Sequence, residues 1–307
     1  MQLIYRLNHF FLFFLLSLTV STFGQAPEIT AIGDQAYCPM SEIPVVSDFS
    51  IVSPGGIDIE KIHIQISTGY ENGLDNLRLL SGHPDVTASS FNVQEGKLTL
   101  TAQNTGAQAL ADLIAAVKDV VFWSTSPSIT GEKIFSFTLD DANYLEKTGH
   151  FYEYIPDIGI TWTEAKALAE ARTNAYGLQG YLATITYHEE AVLSGEQAAG
   201  AGWIGGSDSE NEGVWKWMTG PEAGTVFWNG GANGSAPNGE YSNWNNGEPN
   251  NLGDEDYAHV TAPYVGILGS WNDLPNAGSR GEYVPKGYIV EYGGMPGERV
   301  LCLGVSS

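Results

Sequence analysis

The sequence predicts an all-β, sandwich-like first half with one short helix. An α+β second half follows, whose two helices and short strands surround a long irregular loop. Three observations carry this. Ile62-His63-Ile64-Gln65-Ile66, Lys97 to Thr101 and Phe135-Ser136-Phe137-Thr138-Leu139 alternate apolar and polar residues, the period of a half-buried strand. Thr161 to Glu164 and Thr186 to Glu189 each read as a capping box, with a hydroxyl at the N-cap and a glutamate three residues on. From Gly220 to Gly253 the chain is rich in Gly and Asn and keeps no regular period; an irregular segment of that length in a compact domain is usually functional.

In chain order, residues 1–24 come first. Arg6, the apolar run Phe10 to Leu16 and small residues around Ser21 and Gly24 read as a secretory signal peptide, with cleavage near Gly24-Gln25. The run is too short to span a bilayer. No cysteine follows it to take a lipid anchor, and no second segment is apolar enough to insert in a membrane. The expected address is secreted or cell surface.

Across 307 residues, 13 Lys+Arg stand against 36 Asp+Glu, a net charge of −23. Nucleic acid and anionic membrane need cationic surfaces, so both are excluded as partners; divalent cations and neutral ligands are favoured. Cys38 and Cys302 are the only cysteines. One disulfide between them stays open, but two cysteines make no framework, so apolar cores and metal must hold this exported chain.

Residues 25–146 form the first expected domain. Between its strands Leu110, Leu113, Ile114, Val117 and Val121 recur at helical spacing. The order I-H-I-Q-I-S-T-G-Y-E-N-G, G-K-L-T-L-T, helix, F-S-F-T-L-D-D resembles cadherin-like extracellular repeats, which implies a spacer or adhesive module without chemistry. His63 and His83 read as surface or satisfied residues, and Asp140-Asp141 as a solvated domain edge.

Residues 147–293 form the second. His150 to Tyr154 reads as an opening strand. The first capping box starts a helix carrying Trp162, Ala165, Leu168, Ala169 and Arg172; the second starts one through Val192 and Leu193. Tyr181 to Ile185, Gly202 to Gly206, Val214 to Trp217, Tyr257 to Thr261, Gly269 to Trp271 and Gly287 to Tyr292 read as strands. Gly293 to Gly297 reads as a flexible exit, and 294–307 as a tail.

The chemistry is concentrated in Asn243 to Tyr257 and its downstream partner Trp271-Asn272-Asp273. Glu248, Asn250, Asn251, Asp254, Glu255 and Asp256 crowd one loop punctuated by Gly247, Pro249 and Gly253, with almost no Lys or Arg beside them. Such a loop repels itself unless a cation sits within it. Charged and neutral oxygens together are the ligands of a hard cation such as Ca²⁺. A solvated acidic loop is the bland alternative; the interleaved amides and the flanking Trp244 and Trp271 argue against it. A cis Glu248-Pro249 bond would turn the side chains of Glu248 and Asn250 to one side.

W-T-E-A, L-A-T-I, W-I-G-G-S-D-S-E-N-E-G-V-W-K-W, N-W-N-N-G-E-P-N-N, G-D-E-D-Y, W-N-D and Y-I-V-E-Y occur in the order of a C-type lectin domain, which the stretch from Thr148 to Tyr292 resembles. The resemblance implies two helices against small antiparallel sheets with a calcium-bearing loop. It further implies that Glu248, Asn250, Glu255, Asn272 and Asp273 hold a principal calcium and the sugar. Asp208, Glu212, Asn251, Glu255 and Asp256 would hold an auxiliary one. Asn251 stands where many members carry Asp, which weakens that second site. E-P-N is similar to the type that takes mannose, glucose or fucose. The partners would be glycans or glycoproteins.

The chain departs from the family in its disulfides. Ala169, Val290 and Tyr257 fall where cysteines usually sit, which suggests a cysteine-free, bacterial-looking variant packed by side chains. Trp203, Trp215 and Trp217 read as core, His188 as surface and His259 as a satisfied core histidine. Trp228 and Tyr241 are open between packing under the loop and stacking on a sugar. Asn233-Gly234-Ser235 fits a glycosylation sequon. No G-x-S-x-G, H-E-x-x-H or phosphate-binding glycine loop is present, and the paired acids are claimed by the metal, so no enzyme is expected. A calcium-shaped module that binds protein or ice is the alternative to sugar binding.

Overall fold

The computed structural model of the chain describes residues 27–298, apart from 34–35, 39, 54–58, 129–131, 140–141, 146, 175, 197–201 and 263. The expected leader, Asp140-Asp141, Cys302 and residues 299–307 of the tail therefore lie outside the described residues.

The first half is built from β1 (Glu28–Ile32), β2 (Glu42–Pro44), β3 (Asp48–Val52), β4 (Lys61–Thr68), β5 (Asp75–Leu79), β6 (Val86–Ala88), β7 (Lys97–Ala102), α1 (Gly106–Lys118), β8 (Val120–Ser124) and β9 (Ile134–Thr138). Its sheets are all antiparallel, in the orders β1-β3, β2-β8-β5 and β6-β7-β4-β9. One core gathers Ile62, Ile64 and Ile66 of β4, Leu98 and Leu100 of β7, and Leu113, Ala116 and Val117 of α1. The alternation in β4 suggests one polar face in water, yet both faces are covered. β4 is central between β7 and β9, and the strand Asn143–Leu145 of the second half packs beside it. His63 and Gln65 are buried and bonded, His63 Nδ1 to Thr99 Oγ1 at 2.9 Å and Gln65 Nε2 to Glu95 O at 2.8 Å. The apolar stripe of α1 also overruns the helix. Lys118 ends it, and Val121 belongs to β8, because Asp119 turns the chain with its N–H on Ala116 O.

The second half follows as β10 (Asn143–Leu145), β11 (His150–Pro156), α2 (Trp162–Glu170), β12 (Gly180–Leu182), α3 (His188–Ala191), β13 (Gly202–Ser207), β14 (Val214–Trp217), β15 (Val226–Asn229), β16 (Tyr257–Val260), β17 (Trp271–Leu274) and β18 (Gly287–Tyr292). They form a nine-stranded sheet along β10-β11-β18-β13-β14-β15, with β12 on β18 and the β16–β17 hairpin on β13. All pairs are antiparallel except β13–β18, which meet in parallel at Trp203 and Tyr288. The boundary expected at 146/147 falls inside the β10–β11 hairpin.

α2 begins as the sequence predicts: Thr161 Oγ1 accepts from Glu164 N, and the Glu164 carboxylate accepts from Thr161 N. Its buried face is Trp162, Ala165 and Ala169, whereas Leu168 is 46 % exposed and Arg172 lies beyond the helix, bonded to Tyr292 and Glu153. Gly180 lets α2 approach β18. A Cβ there would stand 2.7 Å from Ala169 O and 2.8 Å from a Val290 methyl.

Elsewhere the elements shift. The second capping box is displaced by one residue: Glu190, not Glu189, turns back on the N–H groups of Thr186 and Tyr187, and α3 opens after one turn into a π turn over Val192–Glu196. The strand expected at Gly269 to Trp271 is Trp271–Leu274 instead, so the W-N-D triplet itself is strand. Val226–Asn229 adds a strand on β14 inside the stretch expected to be irregular. The exit does not begin as a free tail, since Glu298 accepts from Gln179 N and Met295 N.

Candidate functional site

The site is assembled where the loop meets β17. Trp271 N donates to Asn243 O and Asn245 N to Trp271 O, each at 2.7 Å, so Asn243 to Asn245 run alongside the start of β17. Beneath them Trp217, Phe227, Tyr241 and Trp244 surround Trp271 with ring centroids 5.7–5.9 Å away. Trp228 and Tyr241 are half-buried and pack against this core. Trp203, Trp215 and Trp217 lie fully inside it or the neighbouring cluster. The aromatic floor holds the loop's entry and β17 in one frame.

On that floor Asp273 is the hub. It is 0 % exposed, and its two oxygens accept from Asn250 N at 3.1 Å and Asn251 N at 2.8 Å. The Glu248-Pro249 bond is cis, and Asn250 Nδ2 donates to Glu248 Oε2. Glu255 Oε2 accepts from Leu252 N at 3.0 Å, and Glu255 N donates to Asn251 Oδ1 at 2.7 Å. Burial raises the Glu248 carboxyl above the usual carboxylate range, and the Asp273 charge adds to it. Glu255 is pushed up to about 7 by burial and then by Asp273. Asn272 is buried, with its Nδ2 on Asp273 O at 2.9 Å.

A second cluster lies beside it. Asp208, Glu212 and Asp256 bring carboxylate oxygens within 4.8 Å of one another. Asp208 is 2 % exposed; its Oδ2 accepts from Gly213 N at 2.8 Å, while Oδ1 is buried without a partner. Burial pushes Asp208 up to about 7, with Glu212, Asp256 and Asp273 adding repulsion. Asp256 is raised by burial and then by Asp254. Lys216, the cation closest in sequence, pairs with Glu210 instead, at 2.9 Å. Crowded carboxylates, one orphaned oxygen and neutral amides, with no cationic side chain paired to them among the described residues, fit an oxygen-bound divalent cation.

No family model matches the chain. Among curated proteins it is 35 % identical over 291 residues to Halomucin of Haloquadratum walsbyi, which covers 90 % of this chain and 3 % of that protein's length. It is 30 % identical over 139 residues to the C-type lectin lectoxin-Enh5 of Pseudoferania polylepis, covering 44 % of this chain and 76 % of that one. The chain belongs to the C-type lectin family. Among solved structures, the mouse scavenger receptor C-type lectin carbohydrate-recognition domain is 24 % identical, with a TM-score of 0.34 over 49 % of this chain and 92 % of that one.

Within the lectin domain the structure links Glu248, Asn250, Asn251, Glu255, Asn272 and Asp273 through bonds or charge, and joins Asp208, Glu212 and Asp256 in the trio. His188 is exposed, and His259 is buried and bonded. Ala169 and Val290 are fully buried in one apolar cluster, and Tyr257 packs on Trp162 at 4.8 Å.

One polar group was missed by sequence reasoning. Glu190 and Glu291 are buried against Tyr152. Tyr152 OH donates to both, at 2.6 and 3.2 Å, and His150 Nδ1 lies 2.6 Å from Glu291. Thr184 bonds both Glu291 and Glu222. The available signal was Glu291 itself, a carboxylate inside the otherwise apolar Y-I-V-E-Y strand.

Proposed function

We propose that the protein is an exported, calcium-dependent carbohydrate-binding protein. Glu248, Asn250, Glu255, Asn272 and Asp273 would hold the principal cation, and Asp208, Glu212, Asn251, Glu255 and Asp256 the auxiliary one. The observation that carries the reading is Asp273: a wholly buried carboxylate on two loop amides, with Glu248 and Glu255 crowded against it. That arrangement opposes itself in the fold and is completed by a divalent cation.

When bound, the cation supplies coordination positions for two neighbouring hydroxyls of a sugar. The residues do the rest. The Glu248 and Glu255 carboxylates accept from the hydroxyl protons, and the Asn250 amide donates to a hydroxyl oxygen, so a diol's donors and acceptors are both met. The E-P-N order supports mannose-, glucose- or fucose-type sugars. Contact with one sugar is small, so display in several copies would raise avidity. The first half, 25–146, is read as a cadherin-like spacer that carries the lectin domain (147–293) at or beyond the cell surface in adhesion. No helix among the described residues is long and apolar enough to cross a membrane.

The test is a glycan array on the mature protein in millimolar-range calcium and again in chelator, with Asp273→Ala beside it. Calcium-dependent signal on those sugar types, lost in Asp273→Ala together with calcium affinity, is the expected result. Silence in both conditions, with calcium still raising the melting temperature, would overturn the sugar and move the site to a protein or ice surface.

A further inference from the structure

His259 pairs with Asn272 across β16 and β17. The ring is 4 % exposed and meets Trp203 edge-on at 5.9 Å between centroids. Trp203, Leu274, Val284 and Pro285 line the narrow space around it and bring no charge. Nδ1 lies 2.8 Å from Val260 O. A carbonyl oxygen only accepts, so Nδ1 carries a proton. Asn272 Nδ2 lies beside Asp273 O, a carbonyl that also only accepts, so the nitrogen end of that amide, not its oxygen, faces the ring. Nε2 is then an acceptor, and the group 3.3 Å from it must donate. That group is the amide end of Asn272, whose Nδ2 faces Nε2. The second hydrogen of the same amide goes to Asp273 O at 2.9 Å. Both hydrogens of Asn272 thus have protein partners, the one on Asp273 O being free to turn to a sugar hydroxyl, and among the described residues no donor is bonded to its Oδ1.

We infer that His259 is a positioning residue for the calcium site: its Nδ1–H tautomer fixes which way the Asn272 amide points and reserves the oxygen for the metal. The inference rests on the calcium reading above and adds a residue that the loop motifs do not contain. A residue behind a metal ligand sets that ligand's orientation, and its loss typically costs about 10- to 100-fold in metal affinity.

Three measurements decide it. Long-range proton–nitrogen spectra of the histidine-labelled wild-type chain in chelator should show His259 protonated on Nδ1 alone; an Nε2–H tautomer overturns the proposal without any mutation. His259→Phe keeps an aromatic ring against Trp203 and removes the acceptor. It should melt in chelator close to wild type yet bind calcium about 10- to 100-fold more weakly by calorimetric titration. His259→Gln restores an acceptor and should recover most of that affinity. Wild-type calcium affinity in His259→Phe overturns the positioning role alone. A wild-type chain that binds no calcium removes the calcium reading instead, and the tautomer spectrum still reports the His259–Asn272 geometry.

Discussion

At the scale of single residues, the acidic clustering of the candidate site was legible wherever side-chain chemistry alone carries the signal. Glu248, Glu255, Asp256 and Asp273 are carboxylates without Lys or Arg nearby in sequence, and among the described residues none of them is in an ion pair. His259 was legible only as a satisfied core histidine, because its tie to Asn272 comes from cross-strand register rather than local order. Trp271 was expected to anchor rather than ligate, and four rings surround it without leaving it any exposure. Trp271→Ala should destabilise the metal-free domain by about 3–5 kcal/mol, the range for emptying a buried aromatic site. Urea unfolding in chelator measures this. A loss under 1 kcal/mol on that scale would mean the floor collapses to refill the space.

At the scale of elements, capping chemistry and apolar spacing located α1 and α2, and alternation located most strands. The misplacements have separate physical causes. Glu189 and Glu190 offer the same local chemistry, but Glu190 is also fastened to the buried Tyr152 hydroxyl, so it takes the capping role. Leu168 fits a helical stripe by type, yet the neighbours of α2 meet only its Trp162-Ala165-Ala169 face. The close approach of that face explains why small residues are needed there. Gly180→Ala should cost about 1–3 kcal/mol, as overpacking a tight contact does, because Ala169 O is backbone and cannot swing aside. Thr161→Ala removes the N-cap bond together with the exposed hydroxyl's bond to Glu164 Oε2 and should cost about 1 kcal/mol. Thermal melts of the two variants in one buffer check the order, and a larger loss for Thr161→Ala would show that α2 has room to shift.

At the scale of the whole molecule, the net charge of −23 matters less than where carboxylates are buried. Glu190 and Glu222 are raised by burial, with Glu291 adding charge repulsion to both. Burial pulls His150 down, but its bond and charge contacts with Glu291 more than offset this and leave it raised. All three shifts act in one direction. A raised carboxyl holds its proton in the fold at a pH where the unfolded chain has released it, so stability is lost as pH rises through the folded value. A raised histidine contributes stability that is present below its unfolded value and fades as pH climbs past the folded one. Asp208 and Glu255, each pushed up to about 7, add to the trend when no metal is bound and outweigh His259, which burial pulls down to about 4 so that its contribution is lost as pH falls. The chelated protein should therefore melt at a higher temperature near pH ~5 than near pH ~8. On the calcium reading proposed above, added calcium should reverse the ranking, because a cation at those carboxylates must displace their protons and binds more tightly as pH rises. Glu190→Gln separates the two clusters. It keeps a group for Tyr152 and Thr186 but removes one titration, so the slope in chelator should flatten while the pH dependence of calcium affinity stays as in wild type. An unchanged slope in this variant would place the whole effect in the loop carboxylates rather than beneath α3.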